Sequence, residues 1–188
     1  MKKDAIRILY KQKRRKLAST EKEKLEDLML IQFQKLPIFE NFSIMSFAPI
    51  EVQNEFDPYL CEEYCFFRNE NTTFSYPIVN PYIDNIDSFI VGEETEFELN
   101  NYGIAEPIGG IKINPKDIQV IFLPLLAFDE SGYRVGYGMG YYDKFIKLCS
   151  PNVIKVGFSF FEAEIIDDLN ELDEKMNYCV TPTQIYEF

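Results

Sequence analysis

The residues best suited to chemistry are Arg134, Gly136, Gly138, Gly140 and Asp143, all within one short stretch. Glycines at alternate positions let a backbone approach an anion closely, and a helix start beyond them presents N–H groups free to donate. An arginine before such a loop can neutralise phosphate. An aspartate just inside the helix can hold a hard divalent cation. Tyr137, Tyr141 and Tyr142 add flat faces for a planar ligand. The loop fits neither common nucleotide signature, having no Gly-Lys pair for G-x-x-x-x-G-K-[ST] and the wrong glycine offsets for G-x-G-x-x-G. A turn-rich loop that merely packs is the alternative.

The rest of the composition narrows the chemistry. The chain has no histidine, which removes Ser-His and Cys-His triads and every His-ligated metal site. A metal here would be a hard cation held by oxygens, magnesium first. Cys61, Cys65, Cys149 and Cys179 read as reduced structural thiols. The net charge is −12, yet residues 1–24 hold ten Lys/Arg against three Asp/Glu. An acidic body of this kind does not suit a nucleic-acid binder. The basic segment can be a solvated helix face, an anion-binding arm or a transit peptide, the last opposed by Asp4 and the capped helix that follows. No apolar run reaches the roughly 18 residues of a membrane span. With no signal-peptide core at the N-terminus, a cytoplasmic protein is expected.

The elements that must position these residues follow from periodicity. Residues 3–17 read as a helix whose Lys3 and Arg7, four apart, project from one face. Thr20 and Glu23 read as a capping box for a second helix, ended by Pro37. Ser43 to Ala48 reads as a strand, with Glu51 in the loop beyond it. Asp57-Pro58 opens a helix to about Phe67. Strands are expected at Thr72–Val79, where Pro77 demands an edge or terminus, and at Phe89–Val91 and Glu96–Leu99. Tyr102 to Pro107 reads as a loop. Ile118–Leu123 is the central strand, Tyr141–Cys149 a helix, Val153–Phe160 a strand and Ala163–Asn170 a weak helix. Tyr178–Val180 and Ile185–Tyr186 end the chain as short strands. The alternation predicts one α/β domain over residues 1–188, a mostly parallel sheet with helices on both faces. The ligand cleft then lies at the C-terminal ends of the strands.

Phe128-Asp129, Gly132, Arg134 and Gly136 through Tyr141-Tyr142-Asp143 closely resemble the signature of 5-formyltetrahydrofolate cyclo-ligases. Lys3-x-x-Ile6-Arg7, Ser46 to Val52 and Gly103-Ile104-Ala105-Glu106-Pro107 resemble further stretches of that family in order and spacing. The resemblance implies conversion of 5-formyltetrahydrofolate and ATP to 5,10-methenyltetrahydrofolate, ADP and phosphate, by a monomer that needs Mg²⁺. It implies that Lys3, Arg7, Arg134, Gly136, Tyr137, Gly138, Met139, Gly140, Tyr141 and Tyr142 contact ATP. It implies that Ser46, Glu51, Tyr137, Gly138, Gly140 and Tyr141 line the folate site. Lys3, Arg134 and Tyr141 would act on the reacting groups, and Asp143 and Asp173 would hold magnesium. The chain departs from the family pattern at Asn54, Met139, Lys144, Leu172 and Asn177, where Thr, Gly or Lys, Arg, His and Asp are common. The implied basic arm now has a polyanion to close over. A nucleotide or folate sensor without turnover and a sugar-phosphate isomerase-like enzyme are the competing classes.

Overall fold

Val120, Ile121, Phe122 and Leu123 are all fully buried, as befits a strand covered on both faces. The computed structural model describes residues 1–38 and 43–188. Its helices are α1 (Lys3–Arg15), α2 (Ser19–Phe33), α3 (Tyr59–Arg68) and α4 (Tyr141–Ile146). The first strands are β1 (Ser43–Met45), β2 (Thr73–Asn80), β3 (Asn85–Val91), β4 (Phe97–Leu99), β5 (Ala105–Pro107) and β6 (Ile111–Lys112). They are followed by β7 (Val120–Leu123), β8 (Ala127–Phe128), β9 (Arg134–Val135), β10 (Ile154–Phe158), β11 (Tyr178–Val180) and β12 (Ile185–Glu187).

The main sheet has the order β12-β11-β10-β7-β1-β2-β3-β6. Its five central strands are parallel, with Ile44 and Ile154 both opposite Val120. The outer strands β12 and β3 run against the central ones, and β6 pairs antiparallel with β3. Alternation sorts the side chains. Ile44, Val120, Phe122, Val156 and Phe158 face α2 and α3, whereas Met45, Ile121, Leu123 and Cys179 face α4. Each fully buried large apolar side chain contributes about 1.5–3 kcal/mol relative to exposure. The helix α1 packs Ile6 and Tyr10 onto the small β8–β9 hairpin, against Ala127 and Val135. Among the described residues no helix is long and apolar enough to cross a membrane. All four cysteines are free and buried, and burial pushes their thiols above the ordinary range.

Pro77 lies inside β2 opposite Ser88, not at the strand's end. The Ser75 carbonyl accepts from Ser46 N–H at 2.8 Å, so alternation aims the Pro77 nitrogen to the same side, where β1 has already ended. At Gly157 an added Cβ would sit 2.3 Å from Met176 Sδ and 2.7 Å from Leu125 Cδ2, so β10 and the cover over it require a glycine there.

Several expectations are corrected. The helix expected over Ala163–Asn170 does not form. Its backbone is spent on distant partners, Glu164 N–H donating to Phe128 O at 2.7 Å and Asp167 N–H to Met1 O at 3.0 Å. The capping box fails because α2 starts at Ser19, with Thr20 already inside its first turn and no side-chain cap. Ala105–Pro107, read as loop, forms β5 by pairing with β4. Pro58, not Asp57, takes the N-cap position of α3, although Asp57 Oδ1 accepts from Tyr59 N–H at 3.0 Å. The helix from Tyr141 stops at Ile146, and the first strand stops at Met45.

Candidate functional site

The hairpin β8–β9 delivers Arg134 directly into the Gly136–Gly140 loop, which opens α4. Asp129 shapes the hairpin turn, its Oδ1 accepting from Ser131 and Tyr133 N–H at 3.0 and 2.9 Å. Gly138 has φ +110° and Gly140 φ +68°, a region that disfavours any side chain. The first helical bond of α4 runs from Lys144 N–H to Gly140 O at 3.1 Å, so the amides of residues 141–143 have no acceptor within the helix. From α1, Arg7 Nε donates to Gly136 O at 3.0 Å, and a Cβ on Gly138 would lie 3.5 Å from the Arg7 guanidinium carbon. Met139 is exposed on the loop's outer side.

Two charged brackets stand beside this loop. Arg134 donates from Nη2 to Asp143 Oδ1 at 3.0 Å and from Nη1 to Glu174 O at 2.9 Å. Asp143 Oδ1 also accepts from Glu174 N–H at 3.0 Å. One residue earlier, Asp173 Oδ2 accepts from Lys3 Nζ at 2.5 Å and from Asn170 N–H at 2.8 Å. The N-terminal helix, the hairpin, α4 and residues 170–174 therefore meet at one place. Asp143 Oδ2 and Asp173 Oδ1 have no partner among the described residues. Two carboxylates with an open oxygen each are the donor type that magnesium takes, one or two carboxylates being completed by phosphate and water. No group of three or more His, Cys, Asp or Glu side chains able to hold a metal occurs among the described residues.

Glu51, expected at the folate side, sits exposed in a 3-10 turn (Glu51–Gln53), and its carboxylate makes no hydrogen bond among the described residues. The carboxylate that reaches the glycine loop is Glu55, which the sequence reading missed. Tyr137 Oη donates to Glu55 Oε1 at 2.8 Å, Arg14 Nη1 stands 3.4 Å from the same oxygen, and Ile50 N–H donates to Oε2 at 2.9 Å. Glu55 and Arg14 are each only 3% exposed. Burial pushes the Glu55 carboxyl above its ordinary range, against the opposing pull of Arg14 and the three donated bonds. Burial and the Glu55 carboxylate push the Tyr137 phenol well up, so it stays a donor. Arg14 was legible in principle. It lies on the same four-residue spacing as Ile6 and Tyr10, which puts it on the buried face of α1 and demands a partner.

These groups border a narrow crevice lined by Arg14, Phe47, Glu55, Leu125, Phe158 and Phe160, at the C-terminal ends of β1, β7 and β10. Ser46, just past β1, is fully buried and donates to Glu62 Oε1. Tyr76 Oη donates to both Glu62 oxygens, at 2.7 and 2.8 Å. Burial raises the Glu62 carboxyl above its ordinary value, with these hydrogen bonds opposing. Tyr141 lies under Lys144, whose Nζ is 5.6 Å from the ring centre and bonds Asp84 Oδ2 at 2.5 Å. Burial likewise raises the Tyr142 phenol.

Comparison with known proteins adds a second line. Residues 67–182 match the model of the 5-formyltetrahydrofolate cyclo-ligase family. A 5-formyltetrahydrofolate cyclo-ligase of Mycoplasma genitalium is 44% identical over 59 residues, 30% of this chain and 36% of that protein. A cyclo-ligase of Mycoplasma pneumoniae is 24% identical over 174 residues, 89% of this chain and 92% of that one. The 5,10-methenyltetrahydrofolate synthetase of Aquifex aeolicus superposes with a TM-score of 0.80 at 26% identity, covering all of this chain and 93% of the other. The first of these matches thus spans about a third of its relative's length.

Proposed function

This chain belongs to the 5-formyltetrahydrofolate cyclo-ligase family, and from that premise we propose that it joins 5-formyltetrahydrofolate and ATP to give 5,10-methenyltetrahydrofolate, ADP and phosphate. The observation that carries the reading is the convergence of Lys3, Arg7 and Arg134 beside the glycine loop, with Glu55 tied to that loop by Tyr137. Three cations and unpartnered amides suit a phosphate chain, and a buried carboxylate suits the N–H donors of a folate ring.

In the proposed reaction the formyl oxygen attacks the γ-phosphorus and the bond to ADP breaks. N10 then attacks the activated formyl carbon, phosphate departs with that oxygen, and the N10 proton is released. Little acid–base work falls to the protein, which accords with a chain that has no histidine. Alignment and neutralisation of the moving charge carry the catalysis. Arg134 is held on two sides, by Asp143 and by the Glu174 carbonyl, and so meets the phosphoryl group without reorganising. Arg7 pairs with the exposed Asp4 and donates to the Gly136 carbonyl, which leaves part of its guanidinium for phosphate. Lys3 reaches from the first turn of α1 and would exchange Asp173 for phosphate. Asp143 and Asp173 are the residues that would hold magnesium, which when bound shields charge on the phosphate oxygens. Glu55 takes the folate role that the sequence assigned to Glu51, because it is the carboxylate bonded to the loop. Tyr141 offers the ring nearest the start of α4 for stacking on a ligand.

The test is to mix purified protein, 5-formyltetrahydrofolate and Mg-ATP and follow methenyl absorbance together with ADP release. Product should require both substrates. Binding of both without ADP release would identify a sensor instead, and turnover of a sugar phosphate without ATP would identify an isomerase.

A further inference from the structure

The Glu55 carboxylate makes a direct contact between the acidic loop and the glycine loop, two segments that are each also held by α1. On one side, Arg14 Nη1 reaches Glu55 while Arg14 Nη2 donates to Leu125 O at 2.7 Å, just past β7. Asn54 Nδ2 donates to the Arg14 and Leu17 carbonyls, both at 3.0 Å, fastening the acidic loop to the end of α1. On the other side is Tyr137, whose ring is flanked by Lys11 Nζ at 5.2 Å and the Arg14 guanidinium at 5.8 Å. Tyr137 lies between Gly136, whose carbonyl Arg7 holds, and Gly138, whose backbone lies against the same guanidinium. The glycine loop and Glu55 are thus joined directly by one hydroxyl, in addition to the separate hold that α1 has on each.

A carboxylate offers about four acceptor directions. Three donors are present here: Tyr137 Oη, Arg14 Nη1 and Ile50 N–H. A ligand N–H can take the remaining direction and leave the Tyr137 bond in place. A ligand that fixes either end of this bond lowers the ordering cost of the other end, which is positive coupling.

We propose that Tyr137 is a positioning residue whose hydrogen bond to Glu55 couples the two substrate sites, so that 5-formyltetrahydrofolate and nucleotide each bind more tightly when the other is present. This rests on the two-substrate reading above. The phenol itself does no chemistry; it transmits order between the acidic loop and the glycine loop.

The experiment is calorimetric titration of the full chain and of Tyr137→Phe, which keeps the ring and removes the hydroxyl. The ligands are 5-formyltetrahydrofolate and a non-hydrolysable ATP analogue with Mg²⁺, each alone and each with the other at saturation. The unaltered chain should show roughly tenfold mutual tightening, within the usual range for coupled sites. Tyr137→Phe should reduce this coupling factor, the ratio of each affinity with and without the other ligand, to less than about twofold. Coupling near unity in the unaltered chain, or coupling retained in Tyr137→Phe, overturns the proposal. Failure of 5-formyltetrahydrofolate to bind the unaltered chain at all overturns the two-substrate reading and the coupling with it. Amide exchange supplies a readout independent of the variant's folding. Adding 5-formyltetrahydrofolate alone to the unaltered chain should protect residues 136–140, and no protection there overturns the coupling.

Discussion

Asp143 does two jobs in the proposed site, and two substitutions separate them. Its Oδ1 is a structural acceptor, taking bonds from the Arg134 guanidinium and from Glu174 N–H. Its charge is the property that would hold a divalent cation. Asp143→Ala removes both. It leaves Arg134, whose side chain is 5% exposed, with only the Glu174 carbonyl, and strands the Glu174 amide. A hydrogen bond to a charged group contributes about 1.5–3 kcal/mol and a neutral one about 1 kcal/mol. The Asp143 side chain is 28% exposed, so water replaces part of the loss. A net cost of about 2 kcal/mol follows, or a fall in Tm of about 4–8 °C for a chain of this size. Asp143→Asn keeps a carbonyl oxygen able to accept both bonds, so its stability should stay within about 1 kcal/mol of the parent. Its turnover with Mg-ATP should still fall by about 100-fold or more, because the formal charge is gone. Thermal unfolding and steady-state rates on the two purified variants make the comparison. If Asp143→Asn turns over within about threefold of the parent, the carboxylate charge is dispensable and Asp143 serves only the Arg134–Glu174 bracket.

Three other outcomes follow from the same geometry. Glu62 has its carboxyl raised by burial above the ordinary 4.5, so it favours the folded state below that value and that contribution is lost as pH rises through its folded value. Glu62→Gln should therefore flatten the decline in urea-unfolding stability from about pH 4.5 towards neutrality; an unchanged profile would refute the burial argument. Gly138→Ala forces a side chain into φ +110°, at a local cost of about 1–3 kcal/mol, and should weaken binding of the ATP analogue by about tenfold or more in titration with the fold retained. Gly157→Ala places a methyl against Met176 and Leu125 and should cost about 1–3 kcal/mol in urea unfolding, while turnover per folded molecule remains that of the parent.

The parallel centre of the sheet was legible from its apolar strands. Val120–Leu123 carries apolar side chains to both faces, and Ile154–Phe158 sets Ile154, Val156 and Phe158 on one face with Lys155 and Gly157 on the other. The periphery was less legible because tertiary bonds decided it. Residues 163–170 have a helical apolar spacing, yet their amides find Phe128 O and Met1 O, partners more than 30 positions away in the sequence. Ala105–Pro107 becomes a strand only because Phe97–Leu99 lies alongside it. Neither outcome is encoded in a window of neighbouring residues.

The candidate site divides along the same line. The glycine loop is local, since φ +110° and +68° at Gly138 and Gly140 are conformations that the glycines themselves permit. The acidic partner is not local. Glu51 and Glu55 are four apart in one irregular loop, and nothing in their immediate sequence says which one turns inward. The deciding residue lies about 40 positions earlier, on α1. Ile6, Tyr10 and Arg14 repeat every four positions and are all buried, so a guanidinium has to be neutralised beneath that helix. Lys13, one position earlier, lays its ammonium over the Tyr10 ring at 4.1 Å and needs no buried carboxylate. Arg14 is the cation of this turn that selects Glu55 over Glu51. A buried arginine needs a carboxylate that can follow it out of water, and Glu55, with Ile50 N–H and Tyr137 Oη already committed to it, is the one whose desolvation is compensated.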